Sequence, residues 1–290
     1  MGGIVIAVGI LAGLGLVFGL VLALADRYLK VDEDPRIDKV ERLLPGSNCG
    51  ACGQPGCRAL AERVVSGDDK PSRCTVSSPA GLEAIADFLG VDVGAAEKRV
   101  ARIHCGGGLG RARQVASYEG FESCRAAHLV GGGGLECSWG CLGLADCVRS
   151  CTFDAMRMNA FRLPVVDVEK CTACGDCVVA CPRDLIDLMP LEHHLIVQCK
   201  APLAAEAARR ICSAACDACE RCAADGAPGL IRMANNLPVV DYGAGGPAEP
   251  RATFRCPTGA IRWVAGEQYA DDELPPPAGQ VAEAAGRAHV

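Results

Sequence analysis

The sequence predicts an α+β protein with a single N-terminal transmembrane helix followed by small modules, each organised around bound metal. Three observations carry this. Residues Gly2 to Ala25 hold no charge and are almost wholly apolar. The 290 residues include 20 cysteines and 35 glycines but only 4% aromatics, so something other than large apolar side chains must organise parts of the chain. A cysteine pattern also recurs at a fixed interval, as between Cys141 and Cys216 (216 − 141 = 75). The net charge of −6 argues against a general nucleic-acid binder. Lys98, Arg99, Arg102, Arg111 and Arg113 cluster in sequence, as a solvated face or as a docking patch for an acidic protein partner.

The apolar run is long enough to span a bilayer, which takes about 20 such residues. Asp26, Arg27 and Lys30 end it and nothing basic precedes it, which puts the C-terminal side in the cytoplasm. A cleaved signal peptide is the rival reading, with Ala23-Leu24-Ala25 as the cleavage site. The missing basic n-region and the length of the run argue for an uncleaved anchor. Gly9, Gly13, Gly15 and Gly19 give small-xxx-small spacings that let this helix pack closely on partner membrane subunits.

Cys49, Cys52, Cys57 and Cys74 form the first cysteine group. The stretch Cys-Gly-Ala-Cys-Gly-Gln-Pro-Gly-Cys brings three thiolates together in a loop whose glycines let backbone N–H groups turn toward sulfur. Ala59 to Ser66 reads as a helix, after which Cys74 closes the site. Four thiolates can hold zinc or a [4Fe–4S] cluster. The spacing is not that of common zinc ribbons, and a cytoplasmic location disfavours disulfides.

The strongest signal is Cys171-x2-Cys174-x2-Cys177-x3-Cys181-Pro182. It matches the bacterial ferredoxin run, in which three cysteines bind one cluster and the fourth binds the other. Its partner is the looser set Cys137, Cys141, Cys147 and Cys151, with Leu144 where a middle cysteine is usual and Thr152 where proline is usual. Cys137 can supply the missing ligand. Exchanging the fourth ligands gives Cys137, Cys141 and Cys147 with Cys181, and Cys171, Cys174 and Cys177 with Cys151.

The unit then repeats. Cys147 recurs as Cys222, Cys181-Pro182 as Cys256-Pro257, and Leu163-Pro-Val-Val-Asp167 as Leu237-Pro-Val-Val-Asp241. In the second copy Gly226 stands where Cys151 stood, and Tyr242 to Arg255 contains no cysteine. Those losses remove the whole ligand set of one cluster and leave Cys216, Cys219, Cys222 and Cys256 for the other, whereas random decay would have damaged both. Cys212 competes with Cys219, because the 75-residue offset matches it to Cys137 (212 − 137 = 75). Four [4Fe–4S] clusters are thus expected. Cys105, Cys124, Cys199 and Cys212 are left over, either as ligands of a fifth cluster or as buried free thiols. His104, His128, His193 and His194 are weaker ligand candidates. One short helix is expected after Cys181-Pro182 and another after Cys256-Pro257.

The expected organisation is a transmembrane anchor (1–26), a linker (27–44), a 4Fe-4S domain (45–92) and a connecting segment (93–134). A bacterial-ferredoxin-like domain with two clusters (135–190), a degenerate copy with one (191–265) and a disordered, Pro/Ala-rich tail (266–290) follow.

This order of parts resembles RnfB, the B component of the Rnf ion-translocating electron-transport complex, in its long form, from the membrane helix to about Val264. Phe121-Glu-Ser-Cys-Arg-Ala-Ala and Gly140-Cys-Leu-Gly-Leu-Ala-Asp-Cys are further points of likeness. The loss of four cysteines in the last repeat departs from long members with two full ferredoxin domains. The resemblance implies a chain in the cell (inner) membrane with its clusters on the cytoplasmic side. It implies that the chain takes electrons from soluble reduced ferredoxin and passes them to flavin-bearing subunits, so that the flavins, the NAD site and the ion path lie on other subunits. The chain would be part of a translocating oxidoreductase, with no catalytic acid, base or nucleophile of its own. No convincing Walker motif or dinucleotide fingerprint is present, the glycine runs Gly106–Gly110 and Gly131–Gly134 lacking the strand pattern that a phosphate loop needs. A membrane-anchored polyferredoxin that reduces another target, such as a redox-sensing regulator, and a zinc-stabilised scaffold are the alternatives.

Overall fold

A computed structural model describes residues 2–29, 34–95, 97–243 and 245–270. Helix α1 (Gly2–Leu29) contains the apolar run, whose 24 residues have a mean hydropathy of 2.8. Its large apolar side chains from Ile4 to Leu24 are exposed. It is long and apolar enough to cross a membrane.

Three helices form the next module. Asp34 caps α2 (Pro35–Leu43) by accepting from the Arg36 N–H, with Pro35 at the first helical position. Gly67 ends α3 (Cys57–Ser66) in the left-handed conformation, and Gly90 does the same for α4 (Pro79–Leu89), which Ser78 caps. Val40, Leu60, Ala61, Val64, Leu82 and Ile85 pack between them, together with Cys57 and Cys74. The Arg58 guanidinium lies between α2 and α3, paired with Asp38 and Glu41.

The tandem repeat follows one plan twice. In the first copy β1 (Arg99–Ile103) pairs antiparallel with β4 (Ile186–Pro190), so the first and last strands close on each other. Between them β2 (Met156–Met158) and β3 (Pro164–Val166) form a hairpin. In the second copy β5 (Leu195–Val197) pairs with β8 (Ile261–Trp263), and β6 (Ile231–Ala234) with β7 (Leu237–Val240). Short helices α6 (Asp146–Arg149) and α7 (Asp176–Ala180) in the first copy correspond to α9 (Arg221–Asp225) and α10 (Arg251–Phe254) in the second. Helix α5 (Cys124–Leu129) is inserted before the first hairpin and α8 (Ala205–Ile211) before the second.

Three expectations are revised. The short helices precede Cys181-Pro182 and Cys256-Pro257 rather than follow them. Cys181 is extended (φ −82°, ψ 108°), as a residue before proline prefers, so the chain leaves α7 there. The segment 93–134 is more than a connector, because it supplies β1, the edge that closes the first sheet. The first residues of the 266–290 tail are ordered, with Gln268 bonding both ways to the Ile103 backbone (2.9 and 2.7 Å) and the Tyr269 hydroxyl donating to the Cys105 carbonyl (2.8 Å). An amide side chain that satisfies a strand-edge N–H and C=O at once extends the sheet by one residue. Residues 271–290 lie outside the described residues.

The basic cluster is also dispersed. Arg102 is 0% exposed and donates to the Gly266 carbonyl, Arg99 donates to Leu188, Lys98 pairs with Glu169, and Arg113 with Glu136. These side chains tie β1 and its surroundings together instead of forming one open patch.

Ile103 is 1% exposed and packs with Met156, Val166, Leu185 and Ile186 against the cysteines of the first repeat. Ile103→Ala should cost about 2–5 kcal/mol in anaerobic denaturant unfolding. A loss below about 0.5 kcal/mol, the size of an ordinary surface substitution, would show that β1 is not part of this core.

Candidate metal centres

No disulfide forms among the 20 cysteines. They gather in quartets instead. Cys49, Cys52, Cys57 and Cys74 line one hollow with Leu60 and Val76. The Asn48 side chain accepts from the Cys57 N–H (2.8 Å) and holds the loop against the start of α3, and Arg73 donates to the Cys52 carbonyl (3.0 Å). Ser77 donates to the Cys74 sulfur (3.3 Å).

Cys151, Cys171, Cys174 and Cys177 line a second hollow, walled by Ala101, Met156 and Leu188. This is the grouping expected from the exchange of fourth ligands. The Ala155 N–H donates to the Cys151 sulfur (3.4 Å). Cys216, Cys219, Cys222 and Cys256 also lie near one another, close enough for their charges to disfavour one another's ionisation. Cys219, not Cys212, is therefore the thiol beside Cys256.

The remaining hollow of the first repeat differs from expectation. Its thiols are Cys141, Cys147 and Cys181 with Cys124, not Cys137. Asp146 explains the placement. Its carboxylate accepts from the Ser123 hydroxyl (2.9 Å) and the Arg125 N–H (3.0 Å), which fixes the first turn of α5 against α6 and brings Cys124 to the hollow. Cys124 thus stands in for the cysteine missing at Leu144. Spacing alone could not reveal it, because the loop before α6 has no regular length. Cys137 lies in another hollow with Cys105, Cys199 and Cys212.

Three of the histidines have other partners. His104 bonds through Nδ1 to the Val197 carbonyl (2.7 Å) and pairs through Nε2 with Asp187 (3.1 Å). His194 bonds to the Val264 carbonyl, His193 stacks on Tyr242, and His128 lies in the last turn of α5. Arg183 was not anticipated. It donates to the carbonyls of Cys137 (2.9 Å) and Gly140 (2.6 Å), placing a cation near the Cys137 and Cys141 thiols.

The donor set suits iron–sulfur clusters. Among the described residues no three His, Cys, Asp or Glu side chains converge closely enough to hold a single metal ion. A tetrahedral zinc needs four thiolates about 2.3 Å from one point. Three of the quartets surround small hollows with largely apolar walls instead, as a four-iron cube requires. Burial pushes the Cys147, Cys177 and Cys216 thiols up to about 12 and Cys137 to about 11, and neighbouring thiols add to the shift. Such thiols ionise only when a cation replaces the proton.

Residues 44–76 match a family model described as a putative Fe-S cluster, and residues 163–186 match a 4Fe-4S binding domain. The chain is 40% identical over 82% of its length to the B component of the Na(+)-translocating ferredoxin:NAD(+) oxidoreductase complex of Acetobacterium woodii, of which the match covers 72%. It is 38% identical over 87% of its length to the B component of the proton-translocating ferredoxin:NAD(+) oxidoreductase complex of Clostridium ljungdahlii, covering 89% of that protein. A further relative is the B component of the ion-translocating oxidoreductase complex of Methanosarcina acetivorans, at 33% identity over 81% of this chain and 89% of that protein.

The Cys124 placement is directly testable. Cys124→Ser should lower iron in the anaerobically purified chain by one cluster, about four atoms. Unchanged iron and an unchanged reduced-state paramagnetic spectrum would remove Cys124 from this site.

Proposed function

The chain belongs to the RnfB family, the B components of ion-translocating ferredoxin:NAD(+) oxidoreductase complexes, and we propose from this that it is the electron-input subunit of such a complex. In this reading it accepts single electrons from a reduced ferredoxin and relays them to flavin-bearing partners. The observation that carries the proposal is the grouping of thiols into apolar-walled quartets behind a membrane-length helix. We assign as ligands Cys49, Cys52, Cys57 and Cys74; Cys124, Cys141, Cys147 and Cys181; Cys151, Cys171, Cys174 and Cys177; and Cys216, Cys219, Cys222 and Cys256. When bound, [4Fe–4S] clusters supply one-electron redox chemistry at potentials set by burial, charge and hydrogen bonds to sulfur.

The chain's own residues account for that tuning. Leu185, Ala155 and Ser77 direct donors at Cys181, Cys151 and Cys74, which stabilises negative charge on those sulfurs. Ile103, Leu142, Leu185 and Ile186 keep water from the Cys124 quartet. Arg183 places a fixed cation beside it. The family relationship supports membrane association, and the charged residues after Ala25 favour a cytoplasmic location for the quartets. The first ferredoxin-like unit is best drawn from β1 to β4, about residues 99–190, and the second from β5 to β8.

The test is electron transfer from a pre-reduced ferredoxin to the full-length chain in detergent under anaerobic conditions. Oxidation of the ferredoxin should accompany bleaching of the chain's visible absorbance. A chain that dithionite reduces but reduced ferredoxin does not would have a different donor. A colourless chain with stoichiometric zinc would overturn the electron-carrier reading itself.

A further inference from the structure

Cys105, Cys137, Cys199 and Cys212 are unused by the four sites above, and they occupy equivalent positions in the two repeats. Cys105 lies two residues beyond β1 (105 − 103 = 2) and Cys199 two beyond β5 (199 − 197 = 2). Cys137 lies four residues before Cys141 (141 − 137 = 4) and Cys212 four before Cys216 (216 − 212 = 4). Each copy thus contributes one thiol from the end of its first strand and one from the approach to its cysteine motif. All four line a single hollow between the copies.

Small residues make up much of the wall of that hollow, and His104, Trp139, Gln198 and Lys200 complete it. Gly107, Ala112, Gly140, Ala201, Ala214 and Ala215 line it beside the thiols. A Cβ on Gly107 would lie 3.4 Å from the Cys212 sulfur and 3.5 Å from the Cys105 sulfur, and one on Gly140 would lie 3.3 Å from the Cys137 sulfur. A side chain longer than alanine at Gly107 would fill the space between the thiols. The backbone closes the hollow on two sides. Gly106 donates to Gln198 (2.8 Å) on one side, and on the other Arg113 donates to Ile211 (2.9 Å) and Ser213 to Arg111 (3.1 Å).

We propose that this hollow is a fifth [4Fe–4S] site, ligated by Cys105, Cys137, Cys199 and Cys212, which joins the two repeats mechanically and electrically. Both neighbouring quartets are connected to it through backbone. The Cys141 N–H donates to the Cys105 sulfur (3.2 Å), which connects it to the Cys124 quartet. The corresponding Cys216 N–H bonds the Cys199 sulfur, which connects it to the Cys256 quartet. The two links occupy equivalent places in the two copies. An electron crossing between repeats would oxidise the site in one of these quartets by one and reduce the site in the other by one, the bridging site being reduced and then reoxidised in between. The four sites of the tandem unit then lie in the order Cys171 quartet, Cys124 quartet, bridging quartet, Cys256 quartet.

This inference rests on the iron–sulfur reading above, and cluster counting separates the two. The full chain, purified anaerobically in detergent, should carry about 20 irons and as many sulfides, and native mass spectrometry should show five clusters. About 16 irons and four clusters would overturn the fifth site and leave the rest, whereas little iron would overturn the iron–sulfur reading. Two variants keep the test independent of folding accidents. Cys105→Ser/Cys199→Ser removes one ligand from each repeat, and Gly107→Leu keeps every cysteine but fills the hollow. Each should fall to four clusters, and retention of five in either would remove these residues from the site.

Discussion

A buried thiol gives up its proton reluctantly, and most of this protein's interior is built around buried thiols. Cys147, Cys177, Cys212 and Cys216 are pushed up to about 12, chiefly by burial and then by neighbouring thiols. Thiolate–iron bonding relieves both effects, because the metal replaces the proton and offsets the mutual repulsion. The rest of the architecture depends on that exchange. Each sheet has only two strands of three to five residues, too little for independent stability. Apolar residues such as Ile103, Leu185, Leu195 and Leu230 close over the quartets rather than over one another alone. A cluster thus takes the place of the aromatic core that the composition lacks.

The second repeat shows what the fold does when one such site is given up. The positions matching Cys151, Cys171, Cys174 and Cys177 are Gly226, Gly246, Glu249 and Ala252. Helix α10 keeps the place of α7, so the backbone plan survives without the ligands. Small residues let the chain close in. Gly245 passes so near the Leu230 backbone that no Cβ would fit, and Ala252 is buried against the Cys222 and Cys256 core. Tyr242 adds a polar tie, with its hydroxyl accepting from the Leu195 N–H (2.8 Å) and donating to the Leu195 carbonyl (3.0 Å) while His193 stacks on its ring. One cluster has been exchanged for packing and two hydrogen bonds.

Local spacing was legible in the sequence, and long-range convergence was not. Cys49, Cys52 and Cys57, and likewise Cys171, Cys174 and Cys177, lie within a few residues of one another, and each trio lines one hollow. Cys124 was hidden because the Asp146 carboxylate, 22 residues further on (146 − 124 = 22), positions its helix. Cys137 lies close in sequence to Cys141, which suggests a shared quartet, but a turn closed by the Gly140 N–H on the Cys137 carbonyl (3.3 Å) separates them, and the two thiols line different hollows. Strand β1 carries no local sign of its partner, because β4 pairs with it only after the whole cysteine motif has intervened. The 75-residue repeat held enough information to pair Cys137 with Cys212. That the two would meet across the repeats required three-dimensional placement.

Hydrogen exchange before and after cluster removal tests most directly whether bound clusters hold the tandem unit together. The cluster-loaded chain should protect the amides of β1, β4, β5 and β8, and oxidative removal of iron with a chelator should abolish that protection in both repeats. Strands that stayed protected in the iron-free chain would contradict the account, because the apolar residues alone would then be sufficient to hold the fold.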